Sequence, residues 1–283
     1  MVYPITPWPC LAIEQGDSRI LVVADLHLGF EYQLSAMGIN IPSQTSKIKS
    51  KLIEIVEEVH PSRLIILGDV KHSISKISLQ EWKELPPFFE SILKYVNSIH
   101  VIPGNHDGDL TPLTPRSVRI FPSRGIVIDG KERVGLFHGH TWPRLDLLGA
   151  DYLVIGHNHP VIHIEDGFGY RTVKRVWIKA NLDREKLRRS LPPLAEAKSA
   201  DTITRSIPEK ENVPSEAGKL IIMPAFNDML GGLQMNCNSS NNLLGPLLRS
   251  GCVDIDNAEA YLLDGSFLGT ISHLRKFSNP QRQ

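Results

Sequence analysis

The chain has 283 residues, 41% of them hydrophobic and 22% charged, with 31 basic residues set against 31 acidic ones. That length suits one large α/β domain or two small ones, and the even charge excludes a strongly basic nucleic-acid coat and an extreme acidic surface while leaving room for a local patch. No apolar run reaches the roughly 18 residues of a membrane span, the N-terminal MVYPITPWPC lacks the pattern of a secretory signal, and Cys10, Cys237 and Cys252 fit neither a zinc ribbon nor a disulfide framework, so a reduced, cytoplasmic protein is expected.

Short apolar, β-branched runs alternate with helical patterns along the chain. Residues 19–24 read as a buried strand. Residues 45–60 read as a helix, with Ile48, Leu52, Ile55, Val56 and Val59 at helical spacing. Strands follow at Arg63–Leu67, 100–102, 134–137 and Tyr152–Ile155, with a second helical pattern at 79–97 that Pro86 and Pro87 should break. Residues 183–219 change character, with four prolines and many charges, and predict a surface excursion opened by a short helix at 183–190. Residues 220–226 and 260–271 return to strand-like sequence, the latter as a hairpin turning at Asp264-Gly265. The expected organisation is one domain over 1–283, with residues 220–272 completing its sheets and parallel pairing between strands.

Five polar clusters follow the predicted strands: Asp25-Leu26-His27, Gly68-Asp69-Val70-Lys71-His72, Gly104-Asn105-His106-Asp107, His138-Gly139-His140 and Gly156-His157-Asn158-His159. They hold seven of the eleven histidines. Sites in open α/β sheets form beyond the carboxyl ends of strands, so the clusters should converge. Carboxylate, imidazole and amide oxygen without thiolate suit hard and borderline divalent ions. The donors outnumber the needs of one ion, and two ions sharing a carboxylate are the arrangement that serves phosphoester hydrolysis. Asp25 and His27, two apart, are expected to project to one side with Leu26 turned into packing. Each glycine is expected to permit a sharp turn.

This order of blocks (D-x-H, G-D, G-N-H-D, H, G-H-x-H) resembles the calcineurin-like metallophosphoesterase superfamily over residues 20–160. The Phe30-Glu31 pair, GDVKH and the later MPAFN…GG block resemble its archaeal SbcD/Mre-related branch and the ligase-associated bacterial phosphoesterases. The resemblance implies a four-layer α/β/β/α sandwich with mixed sheets. It implies that Asp25, His27 and His159 hold one metal, that Asn105, His138 and His157 hold the other, and that Asp69 bridges them. His106 would be the general acid. His72 would face the substrate phosphate or assist His106, and Asp107 would orient the loop or the imidazole. Manganese is the expected metal, with iron, zinc, nickel and magnesium as alternatives, and a metal-bridging hydroxide the expected nucleophile. The expected activity is hydrolysis of nucleic-acid or nucleotide phosphodiesters, as in DNA-repair nucleases; a phosphomonoesterase and a non-catalytic scaffold are the alternatives. A DNA-repair helicase, ligase or ATPase partner and a dimer both remain open.

Four weaker signals accompany these. His140 could support the site from behind or face substrate. Trp142 could stack on a base at the rim or pack on a loop. The basic run 171–189 could track a phosphate backbone or be a solvated face. Glu31 could cap or ion-pair near the site, while His60, His100, His163 and His273 are expected to be structural.

Overall fold

The fold is a computed structural model that describes residues 1–74, 76–165, 168–192, 218–237 and 243–277. Six strands lie side by side in chain order: β1 (Val2–Ile5), β2 (Cys10–Gln15), β3 (Ser18–Val23), β4 (Arg63–Leu67), β5 (Ser98–Ile102) and β6 (Val118–Ile120). The first three form an antiparallel meander, and β3 to β6 are parallel. Parallel neighbours require crossovers. After α1 (Phe30–Ala36), α2 (Thr45–Val59) and α3 (Leu79–Ile92) serve as those connections. Their apolar faces, among them Leu52, Ile55, Phe88 and Phe89, bury against Leu21, Val23, Leu64 and Ile66 on one side of the sheet. The break expected at Pro86 and Pro87 is absent. The helix runs through both prolines and ends five residues earlier than expected. A capping box between Ser78 and Glu81 secures its start, and burial of Leu85, Phe88, Phe89 and Ile92 offsets the lost backbone hydrogen bonds.

The second sheet runs β13 (Leu233–Gln234), β10 (Pro160–Glu165), β11 (Arg171–Leu182), β12 (Gly218–Ile222), β9 (Tyr152–Ile155), β8 (Val134–Leu136) and β7 (Ile126–Ile128). A hairpin of β14 (Glu259–Leu262) and β15 (Phe267–Thr270) attaches through β14 to β11. The two sheets face each other across Ile20, Val22, Ile65, Leu67 and Ile102 on one side and Ile128, Val134, Leu136, Val154 and Met223 on the other. The outer face of the second sheet carries α4 (Arg184–Ser190), α5 (Pro246–Arg249) and α6 (Ile271–Leu274), which bury Leu187, Leu247, Leu248 and Ile271. The layers are therefore α/β/β/α, with both sheets mixed.

The basic run 171–189 is mostly β11. Val176, Trp177, Ile178 and Ala180 are buried, with Arg175 before them and Lys179 among them. Several of its cations serve the fold: Arg184 donates to the Ala150 carbonyl, Lys186 to that of Gly251 and Arg175 to that of Ala225. The run is not one continuous phosphate-tracking face. The excursion expected over 183–219 opens with α4, and its residues 193–217 lie outside the described set. Among the described residues no helix is long and apolar enough to cross a membrane.

Candidate metal centre

The loops after β3, β4, β8 and β9 bring the predicted donors together. Asp25, His27 and His159 form one triad, and Asp69, His138 and His157 another. Within each, the candidate ligand atoms lie inside 4.8 Å of one another. Asp69 Oδ2 stands 3.4 Å from His27 Nε2 and 3.6 Å from His138 Nε2, so it borders both groups. His138 Nε2 also meets Asp25 Oδ1 at 2.9 Å, and His159 Nε2 lies 3.3 Å from the same oxygen. Each triad draws from both sheets: Asp25, His27 and Asp69 follow strands of the first, and His138, His157 and His159 follow strands of the second.

The ligands converge by a backbone device that the sequence does not display. Asp25 (φ 57°), His27 (43°), Asp69 (48°), His157 (67°) and His159 (43°) all occupy the left-handed region. That region costs a non-glycine residue on the order of 1 kcal/mol or more. Asp25 and His27 lie beyond β3, so strand alternation does not align them. Leu26 is nevertheless buried in the helix-side core, as expected. The expected turn-forming role fits Gly68 (φ 80°) but not Gly104 or Gly156. Those two make room for carboxylates instead. A Cβ on Gly104 would come within 2.1 Å of Asp69 Oδ1, and one on Gly156 within 2.7 Å of Asp25 Oδ2.

Two observations fit a divalent cation. His27 Nε2 and His159 Nε2 are buried beside carboxylate oxygens yet make no well-aligned hydrogen bond among the described residues, which is costly unless another species satisfies them. The protonation pattern also reports a shortage of positive charge. Burial opposes ionisation of Asp25, yet His159 and His138 hold its carboxyl well below the ordinary range. Burial likewise opposes protonation of His138 and His159, but Asp69 and Asp25 raise the first and Asp25 raises the second. Two buried carboxylates thus favour positive charge on their neighbours, and divalent ions would supply that charge directly.

A family model described as calcineurin-like phosphoesterase matches residues 18–186, more than half of the chain. The chain belongs to the calcineurin-like phosphoesterase family. It is accordingly a metal-dependent phosphoesterase. No curated protein matches the sequence. The fold is similar to the Pseudomonas putida nuclease MPE, at 16% identity, covering 90% of this chain and 97% of that one, with a TM-score of 0.49. It is also similar to an Aquifex aeolicus protein of unknown function, AQ665 (18% identity, 50% and 78% covered, TM-score 0.36). The E. coli phosphoesterase Yfce is a third (21% identity, 52% and 74% covered, TM-score 0.34). At these scores the likenesses carry no functional weight.

Within this phosphoesterase the remaining predicted residues take distinct places. His106 lies at the mouth: its Nδ1 bonds to the His72 carbonyl, and its Nε2 faces Asp69 Oδ2 at 3.9 Å. His72 Nδ1 is 3.1 Å from His27 Nδ1, and its ring stacks on His106 at 5.4 Å between centroids. Asn105 is exposed, and no hydrogen bond joins its side chain to another described residue. Asp107 belongs to neither triad. Its carboxylate accepts from the backbone N–H of Val70, Lys71 and Gly104, which staples the loop carrying Asp69 to the loop carrying His106. Burial and Asp69 push its pKa up to about 6. His140 stands behind His138, with the two Nδ1 atoms 3.1 Å apart. Trp142 packs on the outer core of the second sheet rather than standing free at a rim. Glu31 is buried and accepts from the Gln44 N–H and the Gln80 amide, tying α1 to the start of α2.

Three supporting groups escaped residue-by-residue reading. Buried Asn227 donates its amide to the carbonyl of Leu26, between two candidate ligands, and accepts from the Met229 N–H. The Gly231 carbonyl accepts from His159 Nδ1, which turns Nε2 toward Asp25. Buried Glu81 accepts from the N–H groups of His72, Ser73 and Ser78 and so holds the His72 loop. The late MPAFN…GG block was the signal for the first two.

Proposed function

We propose that this phosphoesterase hydrolyses phosphodiesters of nucleic acids or nucleotides, with manganese as its metal and the SbcD-related repair enzymes as its branch. Asp25, His27 and His159 would hold one ion and Asn105, His138 and His157 the other, with Asp69 shared. When bound, such a pair supplies Lewis-acid neutralisation of phosphoryl charge and lowers the pKa of water. The chain's own residues orient and protonate. Asp107, Asn227 and Glu81 fix the three loops. His106, its ring set by the His72 carbonyl, presents Nε2 to the centre, where in its protonated form it would hand a proton to the leaving oxygen.

The observation that carries this reading is the pair of imidazoles at the mouth. Burial and His106 lower the pKa of His72 to about 4, so the ring is neutral near pH 7. Among the described residues no Arg or Lys bonds to the two triads. Lys71, two residues after Asp69, is buried and donates to the Ser73 carbonyl. Fixed cations strengthen hydrogen bonds to phosphoryl oxygens, so a site without them favours the singly charged diester over the monoester dianion. On this reading a helicase, ligase or ATPase of DNA repair would be the partner.

The test compares bis(p-nitrophenyl) phosphate with p-nitrophenyl phosphate under Mn²⁺, followed by single- and double-stranded DNA, RNA and 2′,3′-cyclic nucleotides. Faster turnover of the diester is expected. A clear preference for the monoester would overturn the reading.

A further inference from the structure

An imidazole that faces a cation must present a nitrogen without a proton, and the partner of its other nitrogen decides which one that is. For His159 the backbone decides. The Gly231 carbonyl can only accept, so Nδ1 carries the proton and Nε2, 3.3 Å from Asp25 Oδ1, is left bare. His27 has another imidazole in that place. Its Nδ1 meets Nδ1 of His72 at 3.1 Å. A neutral imidazole has one N–H and one bare nitrogen, so either ring could be the donor. Taken alone, this contact leaves the tautomer of His27 open.

The next bond outward closes it. His72 Nε2 hydrogen-bonds to Gln33 Oε1. An amide oxygen can only accept, so His72 carries its proton at Nε2 and its Nδ1 is bare. That nitrogen then accepts from His27 Nδ1–H, and His27 Nε2 is left without a proton. This is the atom that lies 3.4 Å from Asp69 Oδ2 and makes no well-aligned hydrogen bond. The chain of bonds runs from exposed Gln33 through partly buried His72 to buried His27.

Both ends of the outer bond are held in place. Phe30 and Gln33, three apart on α1, lie on one face of the helix, and the Phe30 ring meets that of His72 edge-on at 5.0 Å between centroids. Glu31 anchors the same turn of α1 to Gln44 and Gln80. On the other side, Glu81 accepts from the His72 backbone N–H.

We propose that Gln33 is a positioning residue of the metal centre: through His72 it selects the His27 tautomer whose Nε2 is free of a proton. An amide turned the other way would donate to His72, reverse both rings and put a proton on His27 Nε2. The inference rests on the reading of His27 as a metal ligand and adds the group that prepares it.

The experiment takes the metal-free full chain with nitrogen-15-labelled histidine near pH 8. Long-range proton–nitrogen spectra read which nitrogen of His27 and of His72 carries the proton, and calorimetry on the same samples measures Mn²⁺ affinity. The parent is expected to show His27 protonated at Nδ1 and His72 at Nε2. Gln33→Leu should mix the two tautomers of His27 and weaken Mn²⁺ binding about three- to tenfold, the worth of one hydrogen bond. Gln33→Glu, which can only accept, should keep the parent tautomers, and Gln33→Lys, which can only donate, should reverse them. A parent protonated at His27 Nε2 overturns the inference, as does a leucine variant with the parent's tautomers or with the parent's Mn²⁺ affinity. A parent with the expected tautomers that binds no Mn²⁺ overturns the ligand reading of His27 while the bond chain itself stands.

Discussion

Asn227→Ala removes a side chain that joins residues 201 positions apart: its amide donates to the Leu26 carbonyl at 3.0 Å, and its oxygen accepts from Met229 N–H at 3.0 Å. Truncation strands a fully buried carbonyl and a partly buried N–H. At about 1–3 kcal/mol for a buried group left unpaired and less for the other, the loss is roughly 2–4 kcal/mol. For a domain of this size that lowers Tm by about 5–10 °C. The second effect falls on the metal. Leu26 lies between Asp25 and His27, both held in the left-handed region, so freeing its carbonyl lets both ligands drift. Loss of such outer support costs about 10–100-fold in metal affinity. Calorimetric melting of the metal-free protein and Mn²⁺ titration of the same preparation measure the two separately. Asn227→Asp should be at least as damaging, because it turns a carboxylate oxygen toward a carbonyl. An alanine variant that melts within about 1 °C of the parent and binds Mn²⁺ unchanged would refute the reasoning.

Gly104→Ala places a methyl 2.1 Å from Asp69 Oδ1 and 2.5 Å from its backbone nitrogen. Metal binding should be lost and Tm lowered, while alanine at Gly108, where a Cβ meets nothing within 4 Å, should leave both intact. His106→Ala should lower kcat on nucleotide diesters about 10²–10⁴-fold with Mn²⁺ affinity retained. The loss on bis(p-nitrophenyl) phosphate should be smaller, because p-nitrophenolate leaves without a proton; equal losses would remove His106 from the acid role. In metal-free protein, burial holds His72, His100 and His140 down to about 4 and His157 down to about 3, and lowers His27 as well. The unfolded chain protonates these rings near pH 6.5 while the native state resists, so their stabilisation is full above that pH and is lost as pH falls toward 4. Asp107, His138 and His159, whose values are raised, act in the opposite sense. Because the lowered groups outnumber them, urea midpoints should fall between pH 7 and 5, and a flat or rising series would contradict this balance.

The donors were legible because their chemistry is written in residue type. Glycine followed by Asp, Asn or His after an apolar run announces a polar strand end, and the five blocks recur in one order. How those donors converge was not legible. Five of them sit at positive φ, a conformation that Asp and His adopt more readily than most residues but that their type alone does not specify, so tertiary contacts impose it. Asp107 shows a finer limit: the pattern left open whether it orients the loop or the imidazole, and its oxygens turn out to be engaged by three backbone amides of the loops. β11 was hidden because Lys174, Arg175 and Lys179 are interspersed along it and dilute the β signal of Val176, Trp177 and Ile178. The prolines of α3 misled in the other direction, since propensity counts the lost hydrogen bonds but not the burial of Phe88 and Phe89.

Each carboxylate-bearing triad takes members from both sheets. The candidate metal centre is therefore a latch across the seam of the sandwich. A shear of one sheet past the other by a single ångström would misalign both triads at once, and neither half of the chain could assemble a triad alone. Occupancy of the centre thus reports the docking of the whole fold. Conversely, the candidate ligands, spread over residues 25 to 159, join segments distant in sequence, so bound ions would act on the sandwich as cross-links do, resisting the separation of its halves.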